Sequence, residues 1–310
     1  MLKENTVTAI AQEVQKVIKG KEDVIESVLT AILAKGHILI EDIPGVGKTT
    51  LALAFSKVMD LEYKRMQFTP DVLPTDVVGF SVLTRENTFE YKPGAVLCNL
   101  FLADEINRTS SKTQSALLEV MEEGSVTVDG VTRRVPDPFV VIATQNPVGS
   151  VGTQMLPESQ LDRFMVRLTM GYPDITQEID ILKGKQAGEP LKQIRQVATR
   201  EEIVRMQQEV AQVYIHDVLY AYIAALVAAT RKHPLITLGV SPRGSIALTN
   251  MVKARAYVHN RDYVIPEDIT EVFYSVVGHR LVLNPKARVN HMTAKDLTDQ
   301  ILSQVAPPKL

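Results

Sequence analysis

The chain has 310 residues, 45% hydrophobic and 23% charged, which supplies enough apolar mass for one large and one smaller domain and excludes a disordered chain. A formal net charge of -2 excludes a global positive field for holding nucleic acid or anionic lipid, so any such binding has to be local. The single cysteine, Cys98, cannot form an internal disulfide, and in the apolar run AVLCNLFLA it reads as a small buried side chain suited to a reducing cytoplasm.

The start MLKENTVTAIAQEVQ carries Glu4 and Asn5 where a secretory leader needs an unbroken apolar core. No apolar run approaches the roughly 20 residues of a membrane span, and the longest, LYAYIAALVAA (219 to 229), reads as a buried helix, so no membrane insertion is expected. KEDVIESVLTAILAK (21 to 35) places Val24, Val28 and Ile32 at helical spacing until Gly36, and HILI (37 to 40) follows as a short buried strand. EDIPGVGKTT (41 to 50) then leads into the helical pattern TTLALAFSKVM, the strand, loop, helix order that a phosphate-binding loop requires.

Further apolar runs, YKRMQF (63 to 68), NLFLAD (99 to 104), FVVIAT (139 to 144) and FMVRLTM (164 to 170), alternate with helical stretches such as TQSALLEVMEE. Short apolar runs separated by helices predict a parallel sheet covered on both faces. GFSVLTRENTFEYKPG (79 to 94) and EGSVTVDGVTRRVP (123 to 136) read instead as hairpins inserted into that core, the second turning at Asp129-Gly130. From about residue 175 the strand signal fades. Thr199 and Glu202 form a capping-box pattern ahead of Ile203, Met206, Val210 and Val213, and helices are predicted at about 216 to 231, 242 to 258 and 266 to 278. The expected organisation is an α/β domain over 1–174 followed by a small all-α domain and tail over 175–310.

The loop at 41 to 50 fits the pattern G-x-x-x-x-G-K-[ST] except that Asp42 replaces the first glycine. The loop of Pro44, Gly45, Val46, Gly47, Lys48, Thr49 and Thr50 can cradle phosphate oxygens at a helix N-terminus through the backbone N–H groups of its non-proline residues, with Lys48 bridging the outer phosphates and Thr49 holding Mg²⁺. The plain alternative is a glycine turn ahead of a helix. An acid beside a triphosphate repels it, so Asp42 is expected to point away, and Asp42→Gly to leave ATP binding nearly unchanged.

NLFLADEINR (99 to 108) is a buried strand ending in paired acids, where Asp104 suits positioning of Mg²⁺, directly or through water, and Glu105 suits activation of the attacking water; an acidic helix cap is the alternative. Asn146, after FVVIAT, can orient that water or touch the γ phosphate, or can be a strand-end turn residue. Arg163 in LPESQLDRF offers a cation for developing phosphoryl charge, or a surface salt bridge. In SPRGS (241 to 245), Ser241 reads as an N-cap, Pro242 as the first helical residue and Arg243 as a first-turn cation facing phosphate or solvent. The histidines show no H-x-x-x-H or H-x-H pair, so no transition-metal site is expected.

In this order the blocks GKEDVIESVLTAILAKGHILIEDIPGVGKT, QFTPDVLPTDVVG, LADEINRTSSKTQSALLEVMEEG, ATQNP, LPESQLDRF and SPRGSIAL resemble the MoxR family of AAA+ ATPases across most of residues 17 to 255. The resemblance implies an AAA+ core with a helical lid, and makes Lys48 and Thr49 the Walker A residues, Asp104 and Glu105 Walker B, Asn146 sensor 1, Arg163 the arginine finger and Arg243 sensor 2. Arg243 would serve its own subunit's nucleotide or a neighbour's. Ile18 and Gly20 fall on the adenine-side segment, and the hairpins match the helix-2 and pre-sensor-1 insertions. Also implied are ATP and Mg²⁺ as cofactors, a cytoplasmic, hexameric ring, and chaperone-like remodelling of a protein client, often with a von Willebrand factor A domain partner. A chelatase-type motor subunit and a nucleotide-binding scaffold with little hydrolysis are alternatives. A nucleic-acid motor has only Arg133 and Arg134 to support it, and no nucleic-acid partner is expected.

Overall fold

The computed structural model describes residues 2–146, 155–186 and 190–309, so Pro147, which closes the FVVIATQNP stretch, lies outside the described residues. In chain order the first elements are α1 (Leu2–Gln15), α2 (Glu22–Leu33), β1 (Ile38–Glu41), α3 (Lys48–Val58), β2 (Tyr63–Gln67), α4 (Pro74–Val78), β3 (Gly79–Leu83), β4 (Phe89–Pro93) and β5 (Leu100–Asp104). They continue with α5 (Ser111–Glu123), β6 (Ser125–Val128), β7 (Val131–Arg134), β8 (Val140–Gln145), α6 (Glu158–Leu161), β9 (Val166–Leu168) and α7 (Ile175–Gln186). The remainder is α8 (Arg200–Ala211), α9 (Asp217–Lys232), β10 (Ile236–Leu238), α10 (Pro242–Val258), α11 (Pro266–Val277), β11 (Val282–Leu283), α12 (Pro285–Val289) and α13 (Ala294–Gln304). The chain divides into one unit of Met1–Val28, His37–Leu156 and Leu168–Val204, and a second of Leu29–Gly36, Pro157–Arg167 and Arg205–Leu310.

The main sheet has the order β2-β5-β8-β1-β9, and its pairs β2·β5, β5·β8 and β8·β1 are parallel. Every residue of β5 and β8 is buried, which explains why these strands read as unbroken apolar runs and not as alternating ones. The edge strand β2 is partly exposed along its length and carries polar Lys64, Arg65 and Gln67. The two hairpins are separate antiparallel pairs, β3·β4 and β6·β7. Asp129 and Gly130, with φ of 52° and 74°, make a turn left-handed at both central residues, whose twist matches that of the flanking strands. The α/β class, the parallel core and the hairpin insertions therefore hold.

In the second unit the predicted helices form near their expected limits. Ser241 caps α10 by accepting from Gly244 N–H at 3.1 Å, and Pro242 occupies the first helical position, where its missing donor costs nothing. Short strands β10 and β11 pair antiparallel beside the helices, a feature too brief for periodicity to reveal. Arg280 is buried, and its Nε donates to Asp162 Oδ1 at 2.7 Å. The remaining guanidinium donors go to the carbonyls of Asp162, Phe164, Met165 and Val276, so the buried charge is both paired and hydrogen-bonded.

Both ends of β1 are held by side chains. His37 is buried just before the strand; its Nδ1 accepts from Val141 N–H at 3.0 Å, so Nε2 carries the proton and donates to Met121 O at 3.0 Å. One imidazole thus ties β1, β8 and the C-terminal part of α5 together, and it meets Phe139 edge-on. Just past the strand, the buried Asp42 carboxylate accepts from its neighbour Ile43 N–H at 2.8 Å, and from Met170 and Gly171 N–H at 2.7 and 2.6 Å. Gly171, at φ 65°, lets two successive amides converge on one oxygen, a small backbone nest for an anion.

Burial lowers the His37 pKa to about 4 from its ordinary 6.5. The unfolded chain therefore binds one more proton between those values, and stability is complete above pH 6.5 and falls as the pH drops toward 4. At pH 5 the loss from this residue should be about 2 kcal/mol. Unfolding free energies measured from pH 7 to 4.5 should show a shallower decline in His37→Gln than in the unaltered chain. Asp42→Gly should lower stability by roughly 2–4 kcal/mol, because two amides of the Met170–Gly171 nest lose a charged acceptor. Denaturant titration of that variant checks this; an unchanged midpoint would mean that the clamp contributes nothing.

Candidate nucleotide site

The loop after β1 turns at Gly45 and Gly47, with φ of 87° and 96°. An added Cβ would meet nothing within 4 Å at Gly45 and only Met170 Cε, at 3.8 Å, at Gly47, so backbone conformation and not crowding demands glycine at both. Asp42 has no left-handed conformation to adopt, which is why the missing first glycine is tolerated. Pro44 and Gly45 are exposed, while Val46, Thr49 and Thr50 are half-buried. Helix α3 begins at Lys48 with no side chain capping it, so its first amides are directed out of the helix as donors for an anion.

Lys48 is buried, and its Nζ donates to the carbonyls of Asp42 at 2.6 Å and Ile43 at 3.1 Å. Burial pulls its pKa down, against the opposing pull of the carboxylates of Asp42, Asp104 and Glu105. The lysine and the acids thus share one electrostatic neighbourhood.

At the end of β5, Asp104 Oδ1 accepts from Thr144 Oγ1 at 2.6 Å, and Oδ2 accepts from Arg65 Nη2 at 2.7 Å and Nε at 3.2 Å. Glu105 leaves the strand in a left-handed conformation (φ 58°, ψ 48°), which costs a non-glycine residue about 1–2 kcal/mol. The turn takes Glu105 out of the alternation by which a continued strand would send the two acids to opposite faces. Thr144 Oγ1 accepts from Glu105 N–H at 2.9 Å and so ties both acids to β8. Glu105 Oε1 accepts from Asn146 Nδ2 at 3.1 Å, and Oε2 accepts from Gln67 Nε2 at 2.8 Å and Arg108 Nη1 at 2.7 Å. Asn146 Oδ1 is buried with no donor among the described residues.

The segment after β9 runs beside the other candidates of this unit. Ile18 is buried, and Gly20 (φ 64°) accepts Gln177 Nε2 on its carbonyl at 3.2 Å. Lys21 Nζ donates to Tyr172 O at 3.0 Å, so residues 170–177 are joined to the Ile18–Lys21 stretch and, through Asp42, to the loop.

Lys48, Asp104, Glu105 and Asn146 are therefore brought together in the first unit. Arg163 and Arg243 belong to the second. There, Asp162, the neighbour of Arg163, accepts from Ser241 Oγ at 2.8 Å, and Ser241 caps the helix whose exposed first turn carries Arg243. Sequence reasoning missed Arg65, Gln67, Arg108 and Thr144. A period of two along YKRMQF puts Arg65 and Gln67 on one face of β2 and was an available signal; nothing in the sequence marks Thr144.

Residues 37–166 match the family of ATPases associated with various cellular activities (AAA), and residues 228–301 match the AAA lid domain. The chain is 48% identical to protein YeaC of Bacillus subtilis over 96% of its own length and 93% of that protein's. It is 38% identical to chaperone MoxR1 of Mycobacterium tuberculosis, over 96% of this chain and 81% of that one. The crystal structure of a candidate ATPase from Cytophaga hutchinsonii superposes with a TM-score of 0.93 at 38% identity, covering 99% of this chain and 96% of that one. A phosphate loop, paired strand-end acids, a lid match and relatives similar over nearly their whole length lead to one conclusion: the chain belongs to the MoxR family of AAA+ ATPases.

Proposed function

We propose that this chain is an Mg²⁺-dependent ATPase that assembles into a cytoplasmic ring, a hexamer, and spends the energy of hydrolysis on remodelling a protein client. The observation that carries this reading is the convergence of a buried lysine, two carboxylates and an asparagine beside a helix N-terminus with uncapped amides. In this reading residues 1–174 form the nucleotide-binding core and 175–310 the lid and tail. In the loop from Pro44 to Thr50 the N–H groups that follow Pro44 cradle the phosphates, Lys48 bridges the outer two, and Ile18 and Gly20 flank the adenine. Thr49 and Asp104 are hard oxygen donors that fit Mg²⁺, which takes a hydroxyl, a carboxylate and phosphate oxygens; the ion would neutralise developing phosphoryl charge.

Glu105 takes the proton of the attacking water, which Asn146 orients through its otherwise unused Oδ1. Arg163 stabilises transition-state charge on a neighbouring subunit's nucleotide, and Arg243 contacts phosphate in its own or an adjacent subunit. The relative named as a chaperone supports the remodelling role, and a von Willebrand factor A domain protein is the partner class to test. Arg133, on which a nucleic-acid reading leans, lies over the Tyr91 ring at 3.9 Å, which gives its charge a place between the hairpins.

Glu105→Gln should bind ATP normally and lower turnover by roughly 10²- to 10⁴-fold. Arg163→Ala should retain nucleotide affinity and lose about 10³-fold or more in turnover. Lys48→Ala should lose affinity as well. Mixing Arg163→Ala with Glu105→Gln subunits should restore part of the turnover, since each supplies what the other lacks. Normal turnover in all three single variants would end this reading.

A further inference from the structure

We propose that Arg65 is a positioning residue that competes with the divalent cation for Asp104. This rests on the reading of Asp104 as a metal ligand. The guanidinium of Arg65 grips one carboxylate oxygen through both Nε and Nη2, at 3.2 and 2.7 Å, while Thr144 takes the other oxygen at 2.6 Å. A cation with hard-oxygen preference needs a lone pair of this carboxylate. Arg65 occupies Oδ2 with positive charge, and two cations cannot share one carboxylate oxygen without strong mutual repulsion. Metal engagement at Oδ2 therefore requires the guanidinium to move.

Arg65 is able to do so. It stands on the edge strand β2 with its side chain 45% exposed, whereas that of Asp104 is 12% exposed. The arginine can swing into water at low cost, but the carboxylate, anchored by Thr144, cannot follow it. The same face of β2 also reaches the second acid. Arg65 Nη2 donates to Gln67 Oε1 at 3.0 Å, which leaves the Gln67 amide nitrogen facing Glu105 Oε2 at 2.8 Å. Arg65 and Gln67 thus form a two-toothed comb on one face of β2, holding Asp104 with one tooth and Glu105 with the other. Arg65 thereby sets the metal concentration the site needs.

The test uses the full-length chain and its Arg65→Met and Arg65→Lys variants. Mn²⁺ serves as the probe, titrated by electron paramagnetic resonance in the presence of a non-hydrolysable ATP analogue. Mg²⁺ half-saturation of ATP turnover, affinity for a fluorescent nucleotide without metal, and thermal unfolding are measured alongside. Arg65→Met should bind Mn²⁺ roughly three- to ten-fold more tightly and reach half-maximal turnover at correspondingly lower Mg²⁺, the range expected for loss of a part-exposed charge-assisted pair. Metal-free nucleotide affinity should not change, and Arg65→Lys, which keeps the competing charge, should stay near the unaltered chain. A residue that only clips β2 to β5 would change the unfolding temperature and leave metal affinity where it was; that outcome overturns the proposal. So does weaker metal binding in Arg65→Met, which would make Arg65 a helper of the cation. Should Arg65→Met fail to fold, Arg65→Gln, neutral but still able to hydrogen-bond, carries the same predictions. If the unaltered chain binds nucleotide with no dependence on metal, the metal-ligand reading of Asp104 fails, and this inference with it. A clear metal dependence that Arg65→Met leaves unmoved sinks the inference alone.

Discussion

Two carboxylates next to each other at the end of a fully buried strand are an electrostatic liability, and much of the first unit is arranged around them. Charge at the edge of an apolar core must be paired or hydrogen-bonded, or it neutralises itself by taking a proton. Here the compensation comes from several elements. Lys48 stands at the start of α3, Arg65 and Gln67 on β2, Arg108 in the turn after β5, and Thr144 and Asn146 at the end of β8. Every one of these donors sits at or near the carboxyl end of a parallel strand, where side chains from neighbouring loops can converge on one point. The left-handed turn at Glu105 belongs to the same arrangement, because backbone strain is the means by which consecutive acids come to face one site.

The second unit meets a similar problem with the opposite sign. Arg280 is buried and would be costly alone, but Asp162 pairs with it and a set of backbone carbonyls absorbs its remaining donors. His279 lies against it and accordingly stays neutral: burial, and then the Arg280 charge, hold its pKa well below the ordinary value. This polar knot sits next to Arg163 in sequence and reaches Ser241 through Asp162. The segment bearing Arg163 and the helix bearing Arg243 are therefore connected within one unit by hydrogen bonds and not by apolar contact alone.

Much of the first unit was legible because its signals are local. A parallel strand buried on both faces must be apolar throughout, so NLFLAD and FVVIAT announced themselves, and Asp129-Gly130 named its turn through the backbone angles it permits. The pairing of β10 with β11 was not legible, because strands this short leave no period to read. Asp42 was legible as an acid expected to point away from phosphate; what its carboxylate serves instead, amides more than a hundred residues downstream, was not legible.

By itself the sequence determined the alternation of strands and helices, the phosphate loop, the paired acids and the capping residues of α8 and α10. Each depends on residues within one or two turns of one another, where steric preference and periodicity act directly. Only the tertiary structure decided which partners those residues keep: that Arg65 rather than a nearer cation holds Asp104, that Gln67 and Arg108 share Glu105, and that Arg280 secures Asp162. The reason is physical. Pairing of charges across a sheet is set by strand order and by local dielectric, and neither is written in any stretch short enough to be read alone.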